Sequence, residues 1–587
     1  MSDLFNDYPL GAASGVARAP YDEMLAPDGG VRPGYDRVHQ TLANLSAGEV
    51  ASRADALARS YVAQGVTFDY AGEERPFPLD VVPRIIEPKD WDHISAGVSQ
   101  RVKALEAFLA DIYGPQNVVK DGVVPLRLIM SSSEYKRAAA GINPANGVRC
   151  HVSGIDIVRD AEGVYRVLED NVRTPSGVSY VIANRQAMVR GFPELFNSVR
   201  VRPVAEYPQR LLAALLAAAP EGVPHPTVVV LTPGVHNSAY FEHTLLARLM
   251  GVELVEGRDL YCSNGLVYMR TTQGPRRVDV IYRRVDDEFL DPVQFREDSM
   301  LGVPGLLGVV RRGKVTLANA IGNGVADDKL TYTYVPDLIR YYLDEEPILK
   351  NVDTWRLEDP VAREEVLDRL PELVVKPVDG SGGKGIVVGP AATPSQIEAV
   401  RKTIIADPRG WIAQPVVQLS TSPTFVDGNF RPRHIDLRPF AVNNGEDVFV
   451  LPGGLTRVAL PEGQLIVNSS QGGGSKDTWV LEGRARRSRA GAPDGAVTGA
   501  SRWGVARSGQ PFSTHPSDSR SEQQQQQQQQ ISLSHADRVL LRLPQIQQQQ
   551  QQQQQTLQIP SFSRHSAASA ESAPIAESSN TESGAPC

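Results

Sequence analysis

A short apolar stretch followed by a glycine-rich loop is the part of the sequence best suited to chemistry. Residues 373–385 read LVVKPVDGSGGKG, a strand pattern that runs into closely spaced glycines. Glycines let successive backbone N–H groups approach a ligand, and such a run forms a nest for anions. With Lys376 before the loop and Lys384 inside it, two cations could meet the same polyanion. The stretch predicts a nucleotide polyphosphate site, with a glycine-rich hairpin turn as the alternative.

A second group of polar residues lies at the ends of a predicted hairpin. Residues 155–158 and 164–168 read as two strands around a turn. Alternate side chains of a strand share a face, so Glu169 and Asn171 point together, and the neighbouring strand can present Asp156 opposite them. Two carboxylates and an amide oxygen suit Mg²⁺ bound to a nucleotide. A solvated acidic turn is the alternative, and the phosphate loop favours the metal site.

The surrounding pattern predicts a mixed α/β protein. Residues 226–255 read as a strand, a helix and a second strand, which indicates parallel β-structure. Apolar residues recur on one face over 95–113, which predicts a packed helix. A further helix is expected from about 335 to 343. The residues before 20 are small and polar, and we expect a flexible arm there.

Several arginines lie at the ends of predicted strands. Residues 279–287 read as a strand that ends in Arg283 and Arg284. Adjacent residues point to opposite faces, so at most one of them would reach a carboxylate substrate, and the other is structural. Residues 431–442 read as one strand that carries Arg438.

Composition and charge limit the class of protein. The 587 residues have a formal net charge of −8, which does not favour binding to nucleic acid. Of these residues, 41% are hydrophobic, which is enough for a large core. No uninterrupted apolar stretch reaches the ~18 residues that a membrane span needs. Cys150, Cys262 and Cys587 are widely spaced, so neither a disulfide framework nor a zinc site is expected. The N-terminus lacks the pattern of a secretory signal, and we expect a cytoplasmic protein.

The order of the motifs carries a resemblance. Asp156, the stretch LEDN at 168–171 and the pair TP at 174–175 all precede the glycine loop. The stretch GNGVADDK also precedes the loop, and VLPGGLTRVAL and NSSQGGGSKDTWV follow it. Together they resemble the circularly permuted ATP-grasp family (type 2), in which the metal pair comes before the nucleotide loop. The pattern is distantly similar to glutathionylspermidine synthetase.

The resemblance implies the fold. We expect an α/β (α+β), circularly permuted ATP-grasp fold with an inserted β-α-β pre-ATP-grasp-like domain and a disordered C-terminal tail. The expected parts are an N-terminal arm, a metal-binding part, the inserted domain, an ATP-binding part and a low-complexity, glutamine-rich tail, at 1–20, 21–200, 201–312, 313–481 and 482–587.

The resemblance also implies the site residues. Asp156, Glu169 and Asn171 would be the metal ligands, and Arg173, Arg283 and Arg438 are the candidate catalytic cations. The ATP-binding set would be Lys329, Lys376, Gly380, Ser381, Gly382, Gly383, Lys384, Gly385, Gln414 and Val416. Two departures limit the transfer of substrates: Arg173 stands where the synthetase has an acidic residue, and Gly154 stands where it has an arginine.

The implied function is that of an ATP-dependent carboxylate–amine ligase. Mg-ATP would convert a substrate carboxylate to an acylphosphate, which an amine then opens to an amide. Positioning and charge neutralisation would provide most of the catalysis. The expected partners are small-molecule or peptide carboxylates and amines, without nucleic acid or membrane. The alternatives are an ATP-binding scaffold or regulatory protein and a small-molecule kinase.

Overall fold

A computed structural model describes residues 4–5, 8–9, 19–70, 73–378, 385–465, 467 and 473–483, with the backbone alone at 68–70, 73–75 and 198. The residues Gly380 to Lys384 of the glycine loop, and the predicted tail from residue 484 onward, lie outside the described residues.

The described residues contain α-helices and short 3₁₀ turns. The helices are α1 (Asp36–Ala43), α2 (Ala47–Ala63), α3 (Pro88–Ile112), α4 (Asn117–Lys120), α5 (Leu126–Met130), α6 (Val178–Gly191), α7 (Pro193–Ser198), α8 (Tyr207–Ala217), α9 (Tyr240–Met250), α10 (Asp287–Leu290), α11 (Leu306–Arg311), α12 (Lys329–Leu343), α13 (Pro360–Arg369) and α14 (Pro394–Ala406).

The strands are mostly short. They are β1 (Thr67–Tyr70), β2 (Glu73–Pro76), β3 (Arg84–Ile86), β4 (Val152–Arg159), β5 (Tyr165–Asn171), β6 (Val228–Leu231), β7 (Glu253–Val255), β8 (Leu260–Ser263), β9 (Leu266–Thr271), β10 (Gly274–Val278), β11 (Val280–Arg283), β12 (Thr316–Ala318), β13 (Lys350–Asn351), β14 (Trp355–Arg356), β15 (Leu373–Pro377), β16 (Val387–Val388), β17 (Trp411–Pro415), β18 (Thr421–Val426), β19 (Asn429–His434), β20 (Phe440–Asn443), β21 (Val448–Val450), β22 (Thr456–Val458), β23 (Gly474–Lys476) and β24 (Thr478–Val480).

A five-stranded sheet in the order β13-β5-β4-β20-β21 carries the predicted metal ligands. Strands β4 and β5 form the expected antiparallel hairpin, and Asp156 pairs with Glu169 across it. Ile155 and Ile157 belong to an apolar cluster that also contains residues of α3. Because side chains alternate along a strand, Asp156 points to the face opposite these isoleucines. The predicted hairpin is therefore confirmed, and it separates the core from the polar face.

Helix α3 covers the apolar face of this sheet. It begins at Pro88, a position where the missing N–H of proline costs no helical hydrogen bond. Val98, Val102 and Leu105 are buried, as the predicted apolar face requires. The helix starts several residues earlier than the expected 95.

A second sheet, in the order β14-β17-β15-β16, carries the strand that leads into the glycine loop. Its strands are all antiparallel, and β15 lies between β17 and β16. Helices α13 and α14 contribute Val366, Val400 and Ile404 to the core beneath it, together with Leu373 and Val375 of β15. The alternation of buried and half-buried residues on β15 leaves Lys376 on the face opposite this core.

A third sheet, in the order β12-β11-β6-β7, is entirely parallel. Strand β6, helix α9 and strand β7 form the β-α-β unit expected over 226–255. Strand β12 (Thr316–Ala318) belongs to this sheet, so the sheet crosses the domain boundary predicted at residue 312. The identity of this part as an inserted pre-ATP-grasp-like domain stays a prediction.

Two expected elements differ in the structure. The strand expected over 431–442 is wrong as a single element, because β19 ends at His434 and β20 begins at Phe440. Pro439 lies between them, and proline cannot donate to a strand ladder. In addition, part of the expected flexible arm lies against the body: Leu4, Phe5 and Tyr8 are buried, and the Phe5 ring stacks on Phe430 at 4.6 Å.

Strands from distant parts of the sequence join the described body. Strand β24 pairs in parallel with β3, and Trp479 lies opposite Ile85 in this pairing. Trp479 is fully buried in the largest apolar cluster. No helix in the described ranges is both long enough and apolar enough to cross a membrane.

Candidate active site

The predicted metal ligands lie together on the hairpin of β4 and β5. Asp156 is 1% exposed, whereas the side chain of Glu169 is 32% exposed and opens toward the cleft. Asn171 pairs with Gly154 at the end of the same ladder, and its Nδ2 is buried without a hydrogen-bond partner. Burial and the negative charge of Asp156 raise the pKa of the Glu169 carboxyl. A cation in front of these groups would therefore relieve an existing repulsion.

Two arginines hold the carboxylate of Asp156. Arg438 donates through Nε to Oδ1 and through Nη2 to Oδ2, the latter at 2.7 Å. Arg457 donates to Oδ2 at 2.7 Å and is itself bonded to buried Asp436. Burial alone would raise the pKa of Asp156, but the two guanidinium groups outweigh it and hold that pKa well below its usual range. Asp156 is therefore a fixed anion at the floor of the site.

Arg438 occupies the space above Gly154. A Cβ atom added at Gly154 would lie 3.2 Å from Arg438 Cδ and 3.2 Å from Pro175 Cβ. Arg438 Nη2 also lies 3.7 Å from Glu169 Oε1. A guanidinium thus reaches the metal pair from the segment between β19 and β20, and the absence of a side chain at 154 makes room for it.

The two predicted ATP lysines reach the same place from different elements. Lys376 lies on β15, and Lys329 is the first residue of α12, where its Nζ lies 3.5 Å from the carbonyl of Val378. Burial is the main cause that lowers the pKa of Lys376 to about 8; the charge of Lys329 adds to it, and Glu169 and Asp156 oppose it. Both lysines and both carboxylates therefore act on one another across a single cleft.

The flanks of the glycine loop are described although its centre is not. The strands on either side, β15 and β16, pair antiparallel, and Gly385 returns with φ of +70° next to Pro377. Gly380, Ser381, Gly382, Gly383 and Lys384 lie outside the described residues, so their assignment to phosphates stays a prediction.

The predicted adenine hinge lies on the strand next to Lys376. Gln414 pairs with Val374 in the ladder of β17 and β15, and it is 2% exposed. Its Nε2 donates to Thr354 Oγ1 at 2.9 Å, so its side chain is engaged within the protein. Val416 follows the strand and is half-buried. The backbone N–H and C=O groups near these residues are therefore the candidates for hydrogen bonds to the edge of the adenine base.

Arg283 lies apart from this group. It is fully buried, and it donates to the carbonyls of Asn319, Val285 and Ala320. It also forms an ion pair of 2.7 Å with Asp287. These bonds fasten the end of β11 to the segment after β12, so we reassign Arg283 from a candidate catalytic cation to a structural one. Arg284 is also buried, and it pairs with Glu242 at 3.1 Å.

Arg173 lies near the metal pair but among carboxylates. Its Nη1 lies 3.1 Å from Glu134, and its Nε lies 3.9 Å from both Asp286 and Asp327. Burial alone would lower the pKa of Arg173, but these carboxylates, Asp286 first, raise it. A guanidinium surrounded in this way is poorly placed to bind the carboxylate of a substrate.

Sequence reasoning did not select several residues of the site. Asp436 and Arg457 hold Asp156, while Glu134, Asp286 and Asp327 surround Arg173. Arg457 and Asp327 lie within the stretches VLPGGLTRVAL and GNGVADDK, so the resemblance marked their neighbourhood without assigning a role.

The donor set fits a magnesium ion better than a transition metal. Among the described residues, no group of three or more His, Cys, Asp or Glu side chains is gathered to hold a metal by itself. The hairpin offers two carboxylates and one amide oxygen, and Mg²⁺ usually completes such a set with phosphate oxygens and water.

Comparison with known proteins identifies the family. Residues 83–459 match the family described as circularly permuted ATP-grasp type 2. The chain belongs to this family. That assignment confirms the predicted fold class, and it agrees with the metal pair preceding the nucleotide loop.

Relatives of this chain occur in several bacteria. It is 60% identical over 472 residues to an uncharacterised protein of Mycobacterium tuberculosis, which covers 80% of this chain and 86% of that protein. A Synechocystis protein is 52% identical over 470 residues, which cover 79% and 97% of the two chains. A Frankia alni protein named as a candidate glutamate–cysteine ligase is 46% identical over 465 residues, but these cover only 54% of its length.

A solved structure shares the fold. A glutathione synthetase-like effector from Globodera pallida matches 75% of this chain and 98% of its own with a TM-score of 0.51 and 10% identity. At that identity the likeness concerns the fold alone. The family and the name of the Frankia alni relative support an ATP-dependent ligase.

Proposed function

We propose that this chain is an ATP-dependent carboxylate–amine ligase that forms an amide through an acylphosphate and releases ADP and phosphate. The observation that carries the proposal is that Asp156 pairs with Glu169 across the hairpin, while Lys329 Nζ lies 3.5 Å from the carbonyl of Val378, two residues after Lys376. The charges of Lys329 and Lys376 lie close enough to these carboxylates to act on them. These residues come from three separate segments of the chain, and their charges are those that a metal-bound polyphosphate requires.

Each group has a role in binding. Lys329 and Lys376 would neutralise phosphate oxygens, and the amides of the glycine loop would complete the cradle. Glu169 and Asn171 would hold Mg²⁺ directly, with Asp156 fixed beside them by Arg438 and Arg457. The ion would supply a positive charge that withdraws electron density from the transferred phosphoryl group. Arg438 lies close enough to Glu169 to add a further positive charge at that point.

Two chemical steps follow from this arrangement. A carboxylate oxygen of the first substrate attacks the γ-phosphorus of ATP, and the bond to the β–γ bridging oxygen breaks, which leaves ADP. The amine of the second substrate then attacks the acyl carbon, loses a proton and expels phosphate. Catalysis requires alignment and charge stabilisation, which suits a site that holds lysines, arginines and carboxylates.

The relatives support ligase chemistry over the alternatives. The Frankia alni relative is named for joining glutamate to cysteine, which is a carboxylate–amine ligation. An ATP-binding scaffold or a small-molecule kinase would hold Mg-ATP with the same carboxylates and lysines, so the reaction products distinguish the three.

Product analysis tests the proposal. The purified chain is incubated with Mg-ATP and with amino acids, short peptides or polyamines, and the nucleotide and organic products are identified by mass spectrometry. ADP, phosphate and a product lighter than its two components by one water are expected. AMP with pyrophosphate, or a phosphorylated product that no amine opens, would contradict it.

A further inference from the structure

A cluster of carboxylates next to the metal hairpin is not explained by the fold or by nucleotide binding. Glu134, Asp286 and Asp327 surround Arg173, and we call these three acidic residues the carboxylate cluster. Lys136 approaches Glu134 at 3.8 Å from the rim. Nearby Asp287 is already paired with Arg283. Three carboxylates thus face two cations, and negative charge is in excess.

Asp286 is the member that points to a ligand. It is 2% exposed, yet neither of its carboxylate oxygens has a hydrogen-bond partner. It stands at the N-cap position of α10 but does not cap that helix. A buried carboxylate without hydrogen bonds is destabilising, so its retention calls for another partner. Burial raises the pKa of this carboxyl, in agreement with its incomplete neutralisation.

Several polar atoms of the cluster are not hydrogen-bonded to one another. Arg173 Nε lies 3.9 Å from Asp286 Oδ1 and 3.9 Å from Asp327 Oδ2, which is too far for a hydrogen bond, and Nε is itself buried without a partner. Glu134 and Asp327 keep 24% and 21% of their side chains exposed, so the cluster opens to solvent on one side. Gly324 makes room for Glu134, since an added Cβ there would lie 2.6 Å from its Oε2.

The cluster adjoins the proposed catalytic groups. Asp327 accepts a hydrogen bond of 2.6 Å from the N–H of Val172, which is the residue after the metal ligand Asn171. Asp327 also lies two residues before Lys329 along the chain. A group held in the cluster would therefore be close to both the metal hairpin and a phosphate-binding lysine.

We propose that the carboxylate cluster binds an organic ammonium group, the cationic end of the amine substrate, with Asp286 at its floor. An ammonium is a monocation with N–H donors, which suits one excess negative charge and a buried carboxylate without a hydrogen bond. A divalent metal fits less well, because the cluster has one excess negative charge and no group of three or more His, Cys, Asp or Glu side chains is gathered for a metal in the described residues. The substrate is thus an amine that carries its positive charge into the site. The link to catalysis rests on the proposed ligase function.

Direct binding tests the site without knowledge of the true substrate. The full chain is titrated calorimetrically, without nucleotide, with methylamine, butylamine and 1,4-diaminobutane, and with 1-butanol as the uncharged probe. Saturable binding of at least one amine and none of 1-butanol is expected. Equal binding of butylamine and 1-butanol, or no binding of any amine, would overturn the proposal.

Three variants locate the binding. Asp286→Asn keeps the shape of the side chain and should weaken the amine at least tenfold, and Glu134→Gln at the rim should weaken it less. Glu446→Gln, an exposed change between β20 and β21, is the matched control and should leave it unchanged. Unaltered amine binding in both Asp286→Asn and Glu134→Gln would overturn the site.

Two further measurements separate this proposal from others. If Asp286 serves a ligand, the amine-free Asp286→Asn protein should melt at the same or a higher temperature than the parent, whereas a purely structural ion pair predicts a fall. A fall would overturn the assignment. Mg-ATP is titrated into the same preparations: bound nucleotide without bound amine refutes only the subsite, and bound amine without bound nucleotide refutes only the ligase function.

Discussion

At the residue scale, the buried position of Lys376 changes the pH range over which it carries its charge. Its pKa is lowered to about 8, first by burial and then by Lys329, so its charge depends on pH within an accessible range. In a nucleotide complex the phosphates would restore the proton, which couples binding to protonation.

Replacing Lys376 by Met should weaken Mg-ATP binding about ten- to a hundred-fold, equivalent to ~1.5–3 kcal/mol for a charge-assisted hydrogen bond. Methionine keeps the bulk of the stem and removes the charge. Equilibrium titration with Mg-ATP measures the effect, and Lys402→Met, a 74% exposed position on α14, is the matched control. Equal loss in both variants would contradict a phosphate contact.

The same lysine predicts a pH dependence. A lysine with a depressed pKa loses its charge as pH rises through that value, so Mg-ATP affinity should fall above about pH 8. The fall should be absent in Lys376→Met, whose affinity is already low. Titrations between about pH 7.5 and pH 10, above the second phosphate pKa of about 6, measure it. A flat profile for the parent protein would exclude Lys376 as the titrating group.

Glu169 provides a test of the metal hairpin. Glu169→Ala should abolish ATP turnover and leave the fold intact, because a side chain 32% exposed contributes little to packing. ADP release and circular dichroism measure the two effects, and Glu446→Ala in the turn of the same sheet serves as the control. Unchanged ADP release by a folded variant would remove Glu169 from the site.

At the element scale, helix α12 positions Lys329. Asp328 caps the helix by accepting a hydrogen bond of 2.8 Å from the N–H of Leu330, and it also pairs with Arg409 at 2.7 Å. The lysine therefore depends on a capped first turn, where backbone N–H groups also face an incoming anion.

Removing this cap should affect both stability and binding. Asp328→Ala should lower the free energy of unfolding by about 1–2 kcal/mol and weaken Mg-ATP binding, because the first turn carries Lys329. Asp359→Ala removes the corresponding cap of α13, where Asp359 accepts from Val361, and should affect stability alone. Urea unfolding and Mg-ATP titration distinguish the variants. Weaker nucleotide binding in both would point to a general loss of structure.

At the scale of the whole molecule, segments far apart in the sequence pack together to complete the folded body. Strand β24 pairs with β3, and Asp477 beside it binds Arg185 of α6 at 2.9 Å. Residues 473–480 are therefore buried in the body, whereas the glutamine-rich sequence beyond residue 483 offers few apolar groups to it.

Two truncations test this limit. Removal of residues 484–587 should leave the melting temperature and Mg-ATP affinity nearly unchanged. Removal from residue 477 onward should destabilise the protein strongly, since loss of buried Trp479 alone corresponds to ~3–5 kcal/mol. Thermal unfolding followed by circular dichroism measures both. A large fall in the first truncation would show that the glutamine-rich part packs on the body.

The sequence by itself determined the local chemistry of this protein. Alternation along a strand is set by covalent geometry, so the shared face of Glu169 and Asn171, and the position of Asp156 opposite them, could be read directly. The order of the metal pair and the glycine loop was likewise sufficient for the family. One local difference is the start of α12, which begins at Lys329 and not near residue 335, with Pro336 inside the helix.

The tertiary structure decided which charges meet. Arg438 reaches Asp156 across 282 residues and Arg457 across 301 residues, and no local pattern distinguishes them from buried Arg283. The same holds for the carboxylate cluster, where Glu134, Asp286 and Asp327 come from separate segments around Arg173. Local geometry depends on neighbours along the chain, whereas the pairing of buried charges depends on how remote segments pack, because only packing removes the water that would otherwise screen them.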